Sequence, residues 1–509
     1  MVVADTVVDY DAFITWIGIQ TEAGKQGIKR QLRDWVSNPS TLLSSRDRFQ
    51  RIQKTIQRDS EFAKECNQIL NEIAEIEKKL MPLIKSESKL EKESYNELLF
   101  VHPITQPLNF IPMVLTIWSF LRIYLLPGIS LLFPILTLIA PYFILTYVFH
   151  LPITFKNYSH MIQSMISGNI TAVLRPNQAV MNQTIEPVAI LKQAGVILLT
   201  LVQGIVQPYW TYKHLHSIDQ IIMDHGTLMI RFQEKYARLE SILATKGITF
   251  FRCPLPQLTT ERIAMAYMLT QSFSFKMALK YIGSFEALFR LASEPGLSPV
   301  RWVSSPQPVF RLRDTFDYQV PSEKRRLLSV SMDSVKGRHA LLTGPNKGGK
   351  STALRSIAMS ALLAHTYGCA FGHLTSTPFS TLCVCLKPDD LPGSKSRFER
   401  EIEFTAGTLR QKGPAMILID ELYHSTNPSD AQRSCEIYSK ELWNRSHVIS
   451  IISTHLFDWV NQSPSTIQRL CCPAKKGERG QIEFSYELVP GVCTVSSVDS
   501  LLSSNGFSV

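Results

Sequence analysis

Residues 341–352 read LLTGPNKGGKST, and no other stretch limits the folds open to this chain so tightly. An apolar run leads in, Gly344, Gly349, Lys350 and Ser351 have the spacing of a phosphate-binding loop, and STALRSIAMSALLAHTYG continues as a helix. Strand, glycine loop and helix in this order form a cradle in which loop N–H groups surround a β-phosphate. Lys350 then balances charge between the β- and γ-phosphates, and Ser351 offers an oxygen to Mg²⁺. The expected nucleotide contacts are Gly344, Pro345, Asn346, Lys347, Gly348, Gly349, Lys350, Ser351 and Thr352.

The segments RHALLTG, STLCVCL, AMILIDE and HVISIIST are short β-like runs separated by helical stretches, the alternation of a parallel sheet covered on both faces. AMILIDE ends in Asp420 and Glu421. Beside a phosphate loop, Asp420 suits a Mg²⁺-bound water and Glu421 the water that attacks a γ-phosphate. His455 follows VISIIST at another strand end, where it either senses the γ-phosphate or satisfies the next turn. Ser396, in GSKSRF, either binds phosphate across a dimer interface or caps the helix RFEREIEFTAGTL, and its residue type fits both equally.

Ahead of the sheet the pattern is helical. Leu70, Ile73, Ile76, Leu80, Leu83 and Ile84 form one apolar stripe on a long helix, and ASEPGLSP marks a linker near residue 293. The formal charge of +10, from 53 Lys and Arg against 43 Asp and Glu, favours an anionic partner. Part of it sits in residues 25–58, which fit a nucleic-acid contact or an ordinary solvated helix face. The nine cysteines lack paired zinc-knuckle spacing and are expected as reduced thiols, and the first thirty residues carry no secretory signal pattern.

Residues 123–149 carry no charged side chain, and roughly 20 helical residues cross a bilayer. Pro127, Pro134 and Pro141 recur there at intervals that a soluble helix tolerates poorly and a membrane helix better. Membrane insertion, a buried helix pair and an oligomerisation arm all fit. Insertion with both flanks on one side predicts a hairpin broken around residues 126–130. A second uncharged stretch, residues 194–212, contains Gln203 and Gln207 and fits a core helix as well as a span.

The segments TGPNKGGKST, PDDLPGSKSRFEREIEFTAGTL, ILIDELYHSTNPSDA and ISTHLFD resemble, in order, the nucleotide motifs of the MutS family of DNA mismatch-repair ATPases, a branch of the ABC-type class. YELVPGVCTVSSVDSLL resembles the family's following segment, used for subunit pairing. TEAGKQGIKRQLRDWVSNPS and YIGSFEALFRLASE resemble the opening and return of its helical core. The resemblance implies ATP and Mg²⁺ at the phosphate loop, Asp420 as metal ligand, Glu421 as water activator, His455 as switch and Ser396 as a contact to nucleotide in an opposing subunit. It departs from the family at Lys347, a position usually apolar there, and at ELYHSTNPSD, where the family is glycine-rich.

The expected architecture is an all-helical core with a membrane-associated hairpin, followed by an α/β ABC-type P-loop ATPase domain. Its boundaries are 1–96 for the first helical segment, 97–155 for the hairpin, 156–300 for the core return and linker, and 301–509 for the ATPase with a dimerisation segment. The core-like motif begins near Thr21, so no mismatch-reading or connector domain is expected ahead of it, and Phe232 and Glu234 of FQE lie on a core helix rather than in a mismatch wedge. The expected activity is ATP hydrolysis that closes a homodimer, or a dimer with a related ATPase subunit, and moves helical arms at a membrane, with the ATPase facing the cytosol. The alternatives are a nuclear or DNA-associated clamp touching double-stranded DNA through its backbone, and a membrane scaffold with a weak ATPase.

Overall fold

A computed structural model describes residues 3–85, 94–100, 102–166, 202–250, 255–386, 396–476 and 482–495. The chain divides into two compact units, at places other than residues 96, 155 and 300. One comprises 1–77, 238–252 and 278–509, and the other 78–237 and 253–277.

The first unit is built on a six-stranded sheet. Its order is Val489–Pro490, Gln468–Cys471, His339–Thr343, Val448–Ser453, Ala415–Ile419 and Thr381–Cys385, parallel except for the first pair. All four β-like runs of the sequence are strands. His339–Thr343, Ala415–Ile419 and Val448–Ser453 are buried at every residue, as expected for central parallel strands. Ala415, Ile417 and Ile419 share a core with Cys435, Tyr438 and Leu442 of the helix Pro428–Trp443 and with Trp459 and Val460. The helix Lys350–Tyr367 packs on Ala415–Ile419 and Thr381–Cys385 of this sheet.

A second, four-stranded sheet was not expected from sequence. It orders Arg301–Trp302, His373–Ser376, Phe310–Thr315 and Leu328–Met332, with both antiparallel and parallel pairs.

The two core-like sequence motifs meet in this unit. Thr21 caps the helix Glu22–Arg33, and its hydroxyl donates to the fully buried Glu286 at 2.5 Å. Glu286 also accepts from the backbone N–H groups of Gln20 and Thr21. Glycine permits the approach: a Cβ on Gly283 would lie 2.2 Å from the Ala23 carbonyl oxygen. Glu77 accepts from the N–H groups of Glu22 and Ala23 at 2.8 and 2.9 Å, placing a carboxyl on a helix N-terminus. The predicted apolar stripe is real, with Leu70, Ile73, Ile76 and Leu80 buried along the helix Ser60–Lys85. The side chains of Leu83 and Ile84 lie outside the described residues.

In the second unit, Pro112–Phe120, Leu121–Leu125, Leu126–Phe143 and Ile144–Val148 follow one another, with helical dihedrals at every junction. The expected break at residues 126–130 is therefore corrected: the helix continues through it. A proline ring collides with the carbonyl four residues back in a regular helix. Here Leu121–Leu125 is a wider π turn in which the Leu126 N–H reaches Leu121 O, just before Pro127. Ile144–Val148, after Pro141, is a second such turn. The reversal lies instead beyond Val148, where His150 has a φ of 52° and the helix Phe155–Ile166 starts shortly after. Its Phe155 and Tyr158 rings sit 5.4 and 5.3 Å from Tyr142, so the chain doubles back there.

Among the described residues one helix, Pro112–Leu132, is long and apolar enough to cross a membrane by length and composition. Of the second uncharged stretch, residues 194–201 lie outside the described residues and the rest runs into the helix Gln207–Thr245. On that helix Phe232 is fully buried, its ring 4.7 Å from Phe275, as a core residue and not a wedge.

Candidate functional site

Three adjacent parallel strands deliver the chemistry to one sheet edge, as parallel sheets do at their carboxyl ends. His339–Thr343 leads through the glycine loop to Lys350, Ala415–Ile419 leads directly into Asp420 and Glu421, and Val448–Ser453 leads through Thr454 to His455.

The loop is tight. Gly344 has φ 149° and Gly349 φ 99°, conformations that favour glycine. A Cβ at Gly344 would lie 2.9 Å from the Cys472 carbonyl oxygen, and one at Gly348 the same distance from the Pro345 oxygen. Lys347 takes a left-handed φ of 65° and projects outward with Asn346. The Lys350 ammonium turns back over the loop and donates to Gly344 O at 2.9 Å and Pro345 O at 3.3 Å. Burial pulls its pKa below the ordinary lysine value, against the opposing pull of Glu421 and Asp420. Among the described residues no carboxylate lies within ion-pair distance of it, so a buried cation is held by neutral carbonyls. That arrangement and the glycine cradle fit an anionic phosphate. Ser351 is exposed at the start of the helix Lys350–Tyr367 and Thr352 is half-buried.

Asp420, Glu421, Lys350 and His455 converge. Ser453 Oγ donates to Asp420 Oδ1 at 2.5 Å and accepts from the Glu421 N–H at 2.8 Å, so one hydroxyl orients both acids. Nε2 of His455 lies 3.3 Å from Glu421 Oε1 and 3.2 Å from Lys350 Nζ. A proton on Nε2 commits that nitrogen to Glu421, and its absence lets Nε2 accept from Lys350. The His455 hydrogen bond, aided by the charges of His455, Lys350 and His424, holds the Glu421 carboxyl below the usual range despite burial. Among the described residues no group of three His, Cys, Asp or Glu forms a self-contained metal site. The donor set available to Mg²⁺ is instead Ser351 and Asp420, sparse protein ligation of the kind Mg²⁺ takes beside nucleotide phosphates.

Ser396 stands apart from this group. It caps the helix Arg397–Leu409, accepting from the Glu399 N–H at 3.2 Å while its own N–H donates to Glu399 Oε2 at 2.8 Å. Residues 387–395 of the motif before it, and 496–502 of the pairing segment, lie outside the described residues.

Sequence reasoning missed Ser453 and Tyr486. Ser453 stands two residues before His455 at a strand end, a signal that was present. Tyr486 lies far along the chain, yet its ring would stand 3.4 Å from a Cβ on Gly349.

Comparison with known proteins bears on the C-terminal third of the chain. Residues 340–499 match the family description MutS domain V. The DNA mismatch repair protein MSH6 of Arabidopsis thaliana is 28% identical over 170 residues, 32% of this chain and 13% of that protein. The DNA mismatch repair protein MutS of Thermus thermophilus is 30% identical over 180 residues, covering 35% of this chain and 22% of its own length. The MutS of Thermus caldophilus is likewise 30% identical over 181 residues, with the same coverages. The aligned region thus spans under a quarter of each of these relatives.

Proposed function

We propose, on the premise that this chain belongs to the MutS family through residues 340–499, that it is a Mg²⁺-dependent ATPase of the ABC-type P-loop class. Its nucleotide cycle closes a dimer and moves helical arms held at a membrane. One observation carries the ATPase: Lys350, Asp420, Glu421 and His455 meet at the ends of three neighbouring parallel strands, with 3.2 and 3.3 Å contacts through His455.

Bound ATP with Mg²⁺ would supply the phosphoanhydride and the charge that the metal neutralises. The protein's share follows from its own groups. The loop N–H groups and Lys350 hold phosphate, and Ser351 and Asp420 hold the metal. Glu421, kept ionised, accepts a proton at its carboxylate from the attacking water. His455 reports on the site by choosing between Glu421 and Lys350. Ser396, at the N-cap of its helix, would face nucleotide of a second subunit. Lys350→Ala tests the assignment: ATP retention on filters should fall well below that of the parent, with folding unchanged by circular dichroism, whereas equal retention removes Lys350 from the site.

The membrane reading draws on the exposed apolar side chains along 112–148, among them Ile117, Phe120, Leu132, Phe143 and Tyr147. Lys213 lies over Trp210, and aromatic rings beside basic groups are common at a headgroup boundary. Tags at the two termini should report the same side in protease protection of membranes, and opposite sides would exclude a hairpin.

A DNA-associated clamp is the second reading, favoured by the relatives' mismatch-repair names and the +10 charge. Against it, Lys25, Lys29, Arg33 and Arg46 of the basic stretch pair with Glu22, Asp11, Asp5 and Asp47. DNA-dependent ATPase activity measured at two salt concentrations separates the readings, because phosphate contacts weaken steeply with salt.

A further inference from the structure

The turn that follows the strand Ala415–Ile419 is strained, and the helix Arg397–Leu409 packs against it. Glu421 and Tyr423 both have φ of 55°, a left-handed conformation that side chains other than glycine adopt only when their surroundings enforce it. Ser453 accepts from the Glu421 N–H on one side, and the helix Arg397–Leu409 holds the turn on the other. Thr405 Oγ1 lies 2.6 Å from the Tyr423 hydroxyl, and the Phe398 ring packs 5.8 Å from the Tyr423 ring.

Glu401, on the same helix, is almost wholly buried, with its side chain 6% exposed. Neither of its carboxylate oxygens has a hydrogen-bond partner among the described residues. A buried carboxylate in that condition is costly and calls for a physical reason. It lines a cavity of about 10 Å³ whose other walls include Thr405, Asp420 and Glu421. Nδ1 of His424 lies 3.4 Å from Glu401 Oε1 and 2.9 Å from the Glu421 carbonyl oxygen. A neutral imidazole carries its proton on either nitrogen, and only Nδ1–H can donate to that carbonyl. A carboxylate beside Nδ1 favours the proton there.

We propose that Glu401 is a positioning residue for Glu421: it keeps the proton on His424 Nδ1, the proton pins the Glu421 carbonyl, and the pinned turn aims the Glu421 carboxylate. The proposal rests on the ATPase reading for its consequence, but the pinned turn does not depend on turnover. The charged groups around Glu401 are His424 on the turn, Arg397 one helical turn earlier, and Asp420 and Glu421 across the cavity. Burial raises the Glu401 pKa, while the charges of His424 and Arg397 oppose that rise.

Glu401→Gln keeps the volume and removes the charge. In the full-length protein it should lower ATPase kcat about tenfold with the KM for ATP unchanged, since the contact acts on Glu421 and not on the phosphate loop. Backbone amides of residues 420–426 should exchange faster with deuterated solvent. His424→Asn fixes an amide donor near the Nδ1 position whatever stands at 401. In that background Glu401→Gln should cost no more than about twofold, the signature of two residues acting in series. Equal losses in both backgrounds, or unchanged exchange in Glu401→Gln, overturn the proposal. A parent that binds ATP without hydrolysing it defeats the ATPase reading, while the exchange measurement still decides whether Glu401 holds the turn.

Discussion

Ser453 shows how much a single hydroxyl decides at this sheet edge. It donates to Asp420 and accepts from the Glu421 N–H, so the two neighbouring acids are set by one atom. Their roles separate by substitution. Glu421→Gln keeps Lys350, Ser351 and Asp420 and so should bind ATP normally, yet the amide cannot accept the proton of the attacking water. Steady-state hydrolysis should fall on the order of a hundredfold. Light scattering should then find more dimer in ATP if nucleotide joins two subunits. Parental turnover in this variant would exclude Glu421 as the base, and slow turnover with an unchanged monomer population would remove only the shared site. A second residue-scale test uses Glu77. Burial raises its pKa to about 7 despite two backbone donors. Between its unfolded value of 4.5 and about 7, the native state holds a proton that the unfolded chain has lost, so stability falls as pH rises through this window. The full effect is roughly 3 kcal/mol. Melting temperatures at pH 5 and pH 7 should differ less in Glu77→Gln than in the parent, and equal differences would show that Glu77 titrates normally.

Helices and strands differ in how much of themselves they reveal in sequence. The close helix pairing at Gly283 predicts that Gly283→Ala lowers the melting temperature sharply, because its Cβ would meet backbone at 2.2 Å and not a movable side chain. Gly407→Ala, also in a helix but with nothing within 4 Å, should instead stabilise by up to about 1 kcal/mol. Equal melting shifts for the two would contradict the packing. Such pairings are invisible in a linear pattern, although TEAGKQG and YIGSFEA supplied both sides of this one. Four of the six strands of the main sheet were legible as short apolar runs, three of them closed by Gly344, Asp420 or Thr454, while Gln468–Cys471 and Val489–Pro490 were not. The four-stranded sheet was not: Phe310–Thr315 loses its buried–exposed alternation at Asp314, where the register shifts, and Arg301–Trp302 is two residues long. The hairpin break was misplaced because prolines read as stops in one dimension, whereas a π turn ahead of Pro127 lets the helix continue. Glu401 was illegible for a different reason, since its meaning comes from His424, which reaches it only through space.

For the whole molecule, the open question of mechanism is what load the nucleotide cycle drives, and the surface chemistry offers two. The net charge of +10 would bind an anionic surface of any kind and would release it in salt. The exposed apolar face of residues 112–148 would bind only a hydrocarbon phase, and salt would not release it. Flotation of the full-length protein with vesicles of mixed neutral and anionic lipid, at low salt and again at high salt, distinguishes the two. An inserted protein should float in both. Leu132→Arg sharpens the test, because Leu132 is 54% exposed and an arginine there should leave folding alone. In a bilayer centre the same arginine costs about 2.5–3.5 kcal/mol on insertion scales. The variant should therefore lose salt-resistant flotation while keeping the parent's melting temperature and ATP retention. Flotation unaffected by Leu132→Arg would mean that this face does not enter lipid. Flotation lost in high salt by the parent itself would reduce the attachment to charge and leave an anionic polymer, DNA included, as the better load.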